Sequence, residues 1–145
     1  MRHFCLTILL ILGVAQSVQA VPAYEERTYM QAVTAYKEGD YAKAREIWYS
    51  LAESKHERAQ YNMGGLYYFG KGVEKDHEKA FHWYQRAANR GHAKAQYMSG
   101  MMYKNGLGVK KNYIDAFHWY EKAARQGHVG AQVNLGYLYQ HGKGV

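Results

Sequence analysis

Apolar and small residues in one stretch of the chain fall at Ala59, Met63, Leu66 and Tyr67, which is one face of an α-helix turning about 100° per residue. A second stretch carries Ala80, Trp83, Tyr84, Ala87 and Ala88 at the same helical spacing. The two are called helix A and helix B below. Each has one apolar face that must be buried against a neighbour. The pattern then returns every 36 residues: AQYNMGGLYYFGKGV (59–73) recurs as AQYMSGMMYKNGLGV (95–109) and as AQVNLGYLYQHGKGV (131–145). Helix B recurs as KAFHWYQRAANRGH (79–92) and DAFHWYEKAARQGH (115–128). A fixed period of this length predicts stacked helix pairs in an all-α chain rather than one globular core.

The connections follow turn chemistry. Gly70, Gly106 and Gly142 stand where helix A should end in a left-handed cap. Gly72, Gly108 and Gly144 allow a second unusual turn, after which Val73, Val109 and Val145 can tuck back onto the helices. Asp76 and Asn112 are N-caps for helix B, with Asp115 completing a variant capping box on Asn112. Helix B stops at Gly91 and Gly127. Gly64, Gly100 and Gly136 recur inside helix A, where glycine costs roughly 1 kcal/mol against alanine. Such a recurring cost predicts close helix approach, expected opposite Ala87 and Ala123.

The ends of the chain differ from its middle. Arg2, an apolar run over residues 4–15, and Val18-Gln19-Ala20 before Pro22 read as a signal peptide over residues 1–20, cleaved after Ala20. The run is too short to span a bilayer comfortably, so no stable membrane span is expected after cleavage. Residues 21–55 read as a divergent first helical unit or cap, with a helix over 24–37 lacking the glycine loop and Ala44, Ala52 and His56 in register with Ala80, Ala88 and His92. Full repeats follow at 56–91 and 92–127, and residues 128–145 hold only helix A and its turn. That last helix would expose a Leu135 and Leu138 face, predicting a longer array, a partner, or self-association there.

The combined pattern A-Q-x-N-L-G-x-x-Y-x-x-G-x-G-V, then D/N-x-x-x-A-x-x-W-Y-x-K-A-A-x-x-G, resembles the Sel-one-like repeat, a branch of the tetratricopeptide-like superfamily, in its exported bacterial form. The resemblance is strong over 56–145 and weak over 24–55. It implies a right-handed α/α solenoid that binds other proteins. Two departures stand out. Some secreted relatives of this kind carry a disulfide in every repeat, whereas the single cysteine here, Cys5, lies in the signal segment. Ser99 replaces the larger residue seen at Met63 and Leu135, predicting a packing defect in the second repeat.

Composition narrows the chemistry. The net charge of +7 is spread over scattered lysines with no run of five or more like charges, which reads as a solvated surface. With export, it argues against nucleic acid as a partner. His56, His92 and His128 recur at one repeat position and His82 and His118 at another, so they read as structural rather than metal-ligating, and no H-E-x-x-H is present. Ser50, Ser54 and Ser99 begin no S-x-x-K, and no K-T-G or G-x-S-x-G follows, which leaves a β-lactamase-type hydrolase the weakest reading. The GKGV and GLGV loops lack phosphate-loop spacing. No cofactor, metal or catalytic residue is expected. Trp83, Trp119, Tyr67, Tyr103 and Tyr139 are assigned to the core.

Recognition is then expected on the outward side of helix A, which lines the concave surface in solenoids of this kind. The helical wheel places Tyr61 and Tyr68 there in the first copy, Tyr97, Met101 and Lys104 in the second, and Tyr137 and Gln140 in the third. Asn62, Met98 and Asn134 lie on the flank. These ten residues form the candidate partner-binding surface of a non-enzymatic adaptor of the bacterial envelope or secreted fraction. Its partner would be a protein or peptide. The alternative is a peptidoglycan- or glycan-associated factor using the same aromatic side chains.

Overall fold

The computed structural model describes residues 22–145. The signal segment lies outside the described residues. Among them there are seven helices and no strand. Helix α1 covers residues 22–37. It is followed by α2 (Tyr41–Glu53), α3 (Glu57–Phe69), α4 (His77–Asn89), α5 (Ala93–Asn105), α6 (Tyr113–Arg125) and α7 (Val129–Gln140). From α2 onward each helix packs on its neighbours in the chain, so α3 and α4, then α5 and α6, form successive A–B pairs of an α/α solenoid.

Each B helix is built as its apolar spacing requires. In α4 the buried side chains are Ala80, Trp83, Tyr84, Ala87 and Ala88, and α6 buries Ala116, Trp119, Tyr120 and Ala123. Their N-termini are closed by Asp76, which accepts from the Lys79 amide, and by Asn112, which accepts from the Ile114 and Asp115 amides. The carboxylate of Asp115 accepts from the Asn112 side chain at 2.6 Å. These amide hydrogen bonds, from Lys79 first, hold the Asp76 carboxyl below its ordinary range. The buried residues fall into three clusters in series along the stack rather than one central core, as expected where each unit touches only its neighbours.

Helix A ends in left-handed glycine at Gly70 (φ 66°) and Gly106 (φ 67°). The next glycine of each loop serves a further purpose. Gly72 lies against Tyr41, Gly108 against the His77 carbonyl, and Gly144 against the Tyr113 carbonyl. Each loop thereby seats on the first turn of helix B of the preceding unit, at a distance no β-carbon permits.

Two packing expectations are corrected. The glycines inside helix A do not face Ala87 and Ala123. A β-carbon on Gly64 would stand 2.6 Å from Tyr84 Cδ1, and one on Gly100 would stand 2.8 Å from Tyr120 Cδ1. The glycines make room for a ring three residues closer to the start of helix B. At α7, Leu138 is fully buried and Leu135 half-buried, so the exposed side there is Val129, Val133, Tyr137 and Tyr139 rather than the leucines. Tyr139 is 61% exposed and leaves the core set, and Tyr67 and Tyr103 are half-buried against it. Ser99 is fully buried and its hydroxyl has no partner among the described residues.

Candidate binding face and aromatic cleft

Helices α1, α3, α5 and α7 form one layer, and side-chain contacts join them directly. Asn62 Nδ2 donates to Tyr29 Oη at 2.9 Å, linking α3 to α1. Tyr68 Oη lies 4.0 Å from Met101 Sδ, linking α3 to α5. Lys104 Nζ donates to Asn134 Oδ1 at 2.8 Å and sits 5.0 Å from the Tyr137 ring centre, linking α5 to α7. Asn62, Tyr68, Met101, Lys104, Asn134 and Tyr137 therefore share one continuous face. Gln140 lies exposed at its α7 end. Met98 is half-buried beside them.

Tyr61 and Tyr97 lie on the same layer, and each is pinned by the next unit. Both rings are half-buried. Tyr61 stacks on His92 at 4.8 Å and leans on Tyr84, and Tyr97 stacks on His128 at 4.5 Å and leans on Tyr120. Tyr29 makes the same stack with His56 at 5.1 Å. Burial, and secondarily Tyr29, pushes the Tyr61 phenol above its ordinary value. The three histidines have a definite task. Each is the N-cap of the following A helix, its Nδ1 accepting at 3.2 Å from the amide of Ala59, Ala95 or Ala131. Such a cap exists only while Nδ1 carries no proton. Burial is the first cause that lowers the His92 pKa, with Lys94 and Arg58 adding to it against Glu57. Sequence reasoning identified these histidines as structural. The constant 31-residue offset from Tyr61 to His92 and from Tyr97 to His128 was the signal for the stack.

A cleft of about 400 Å³ opens on this face between α1 and α3. Tyr29, Tyr36 and Lys37 line its α1 side, and Asn62, Gly65 and Phe69 its α3 side. Trp48 and Tyr84 reach it from the helices behind. The volume lies within the range of ligand pockets. Trp48 is 3% exposed and its indole N–H has no acceptor among the described residues. Tyr84, pushed far above the ordinary tyrosine range by burial, stays a neutral phenol. Phe69 is 60% exposed at the rim. The cleft suits an apolar group with few polar demands. It brings together Tyr61 and Asn62 of the sequence-derived set with Gly65, which the helical wheel also turns outward, and adds Tyr29 and Tyr36 of the divergent unit.

Among the described residues no three His, Cys, Asp or Glu side chains converge as a metal site. Ser50 and Ser54 are exposed, and the Ser54 hydroxyl donates to the Ser50 carbonyl. No described helix is long and apolar enough to cross a membrane.

The Sel1 repeat family model matches residues 57–92, 93–128 and 129–145. The chain belongs to the Sel1 repeat family. Among solved structures it is similar to a Sel1 repeat protein from Oxalobacter formigenes, with 40% identity, a TM-score of 0.76, and coverage of 80% of this chain and 48% of that one. It is also similar to a protective antigen present in uropathogenic Escherichia coli strains that displays an SLR fold, with 34% identity, a TM-score of 0.79, and coverage of 87% and 28% respectively. Helicobacter pylori cysteine rich protein B shares the fold at 23% identity and a TM-score of 0.64, with 77% of this chain and 95% of that chain covered. The chain spans less than half the length of the first two. No curated protein matches. The Sel1 match begins one residue after the His56 cap, so the α1–α2 pair lies ahead of the matched repeats.

Proposed function

We propose that this Sel1 repeat chain is a non-enzymatic scaffold that binds a protein or peptide on the face formed by α1, α3, α5 and α7. Sel1 repeat proteins are in general scaffolds for protein–protein interaction. The observation that carries the face is the row of polar and soft side chains, half-buried Asn62, Tyr68, Met101 and Lys104 and exposed Tyr137, continuous across the four A helices and interrupted by an open aromatic cleft. The opposite layer offers no such row. Its exposed positions are mostly polar, such as His82 and His118, with Tyr49 and Ile114 as separate apolar exceptions. The mechanism is recognition, with specificity from the positions that change between repeats.

A photo-crosslinking residue placed at Phe69 or Tyr137 on the A face, and at His82 or His118 on the B face, tests this reading in the protein's native host. Adducts with a protein partner from the A face alone are expected. Adducts from the B face alone, or to glycan strands in place of protein, would overturn it. Residues 1–20 support export to the periplasm or the medium. N-terminal sequencing of the native protein is expected to begin at Val21, and a retained Met1 in a cytosolic fraction would reject export.

A further inference from the structure

Gly65, Met101 and Tyr137 occupy one register on α3, α5 and α7, 36 residues apart. Where the register holds methionine, Met101 packs among the core clusters and reaches Tyr68 Oη. Where it holds tyrosine, the ring stacks on His141 at 4.2 Å and takes up Lys104. Only at glycine does the space stay open, and there the structure has its cleft. The flank position varies in the same sense, with Asn62 where the next repeat has Met98. The cleft is thus a site made by omission of a side chain that the sister repeats supply.

We propose that this cleft is a single-anchor pocket that takes one large apolar side chain of a peptide, with a carboxylate of the same peptide held at Lys37. This rests on the reading of the A face as a protein-binding surface and adds the chemistry of the partner. The apolar anchor follows from the wall of Tyr29, Tyr36 and Phe69 over a floor of Trp48 and Tyr84. A missing methionine at this register is matched in kind by an incoming Leu, Met or Phe. A sugar would need several convergent donors and acceptors, and Asn62 Nδ2 is already committed to Tyr29. The carboxylate follows from charge. Lys37 stands at the mouth, exposed, and forms no ion pair among the described residues.

The sister repeat supplies the test. Gly65→Met installs what α5 already carries, and a β-carbon at Gly65 meets nothing closer than Tyr84 Oη at 3.8 Å. Gly65→Ala is a graded second variant that adds only that carbon. Peptides selected from a displayed random twelve-residue library on the wild-type protein are measured by fluorescence anisotropy against wild type, both Gly65 variants and Lys37→Glu. Thermal melts check that each variant is folded. Selected peptides are expected to share one Leu, Met or Phe near an Asp, Glu or free C-terminus. Gly65→Met is expected to bind them on the order of tenfold or more weakly, as for an anchor shut out of its pocket. Gly65→Ala is expected to fall between, and Lys37→Glu to weaken binding less than Gly65→Met does. Peptides that bind wild type and Gly65→Met equally would overturn the pocket and leave the A face standing. Peptides lacking an apolar anchor would do the same. Failure to select any peptide would reject the face itself.

Discussion

Single positions in this chain have consequences that depend on what the neighbouring unit places opposite them. Gly64 and Gly136 occupy the same register, yet Gly64 faces the Tyr84 ring and Gly136 has open space within 4 Å. Alanine gains up to roughly 1 kcal/mol over glycine in a helix interior, whereas overpacking against a fixed ring costs about 1–3 kcal/mol. Gly136→Ala is therefore expected to raise stability by about 0.5–1 kcal/mol, and Gly64→Ala to lower it by about 1–2 kcal/mol, both read from urea unfolding. Equal effects of the two would show that Tyr84 moves aside freely. Ser99 poses the reverse case, a buried hydroxyl without a partner. Such a group carries a desolvation penalty of about 1–3 kcal/mol, so Ser99→Ala is expected to melt at a higher temperature than the wild type. The serine itself was legible as the odd residue among Met63 and Leu135, but the orphaned oxygen needed coordinates.

At the scale of the element, the helices and their glycine stops were readable because each depends on residues close in sequence. The faces were less so. A wheel drawn on α3 alone turns Tyr61 outward, and only the next unit's His92 shows that the ring is pinned. The stack couples a cap to a core contact, so His92→Ala is expected to lose both, about 2 kcal/mol from a cap and an aromatic pair. His92→Asn keeps the cap and should lose about half as much. The same pair predicts a pH dependence. The free imidazole takes its proton near pH 6.5, while burial holds the folded His92 neutral to lower pH. In that window the unfolded chain binds more protons, so stability is full above about pH 6.5 and declines as the pH falls below it. Chemical denaturation at pH 7.5 and 5.5 is expected to show this decline, and His92→Asn to show a smaller one. A flat profile in the wild type would mean that the cap survives protonation.

Across the described residues the helices are unequally covered. The α7 helix is covered on one side only, with Val133 67% and Tyr139 61% exposed, while α3 and α4 have neighbours on both sides. Repeat stacks gain stability from nearest-neighbour contacts. For the 145-residue chain taken alone, amide exchange is therefore expected to be faster in α7 than in α3 and α4, measured by mass spectrometry. Uniform protection would point to a single cooperative unit. The all-α solenoid was legible at this scale because its period is written into the sequence. The cleft was not, since it depends on Tyr29 and Tyr36 of a divergent unit meeting a glycine 36 residues ahead of Met101.

The seat of each glycine loop on the preceding unit, Gly72 on Tyr41, Gly108 on His77 and Gly144 on Tyr113, has a consequence for how such a chain can grow. The receiving residue is tyrosine at two of the seats and histidine at the third, and the nearest atoms to Gly108 and Gly144 are main chain. A joint of that sort has no key cut into it. Any unit ending in the loop can close on any unit beginning with a capped helix, so copies can be duplicated, deleted or exchanged without refitting this contact. The array is free to change length while its outward side chains diverge one repeat at a time.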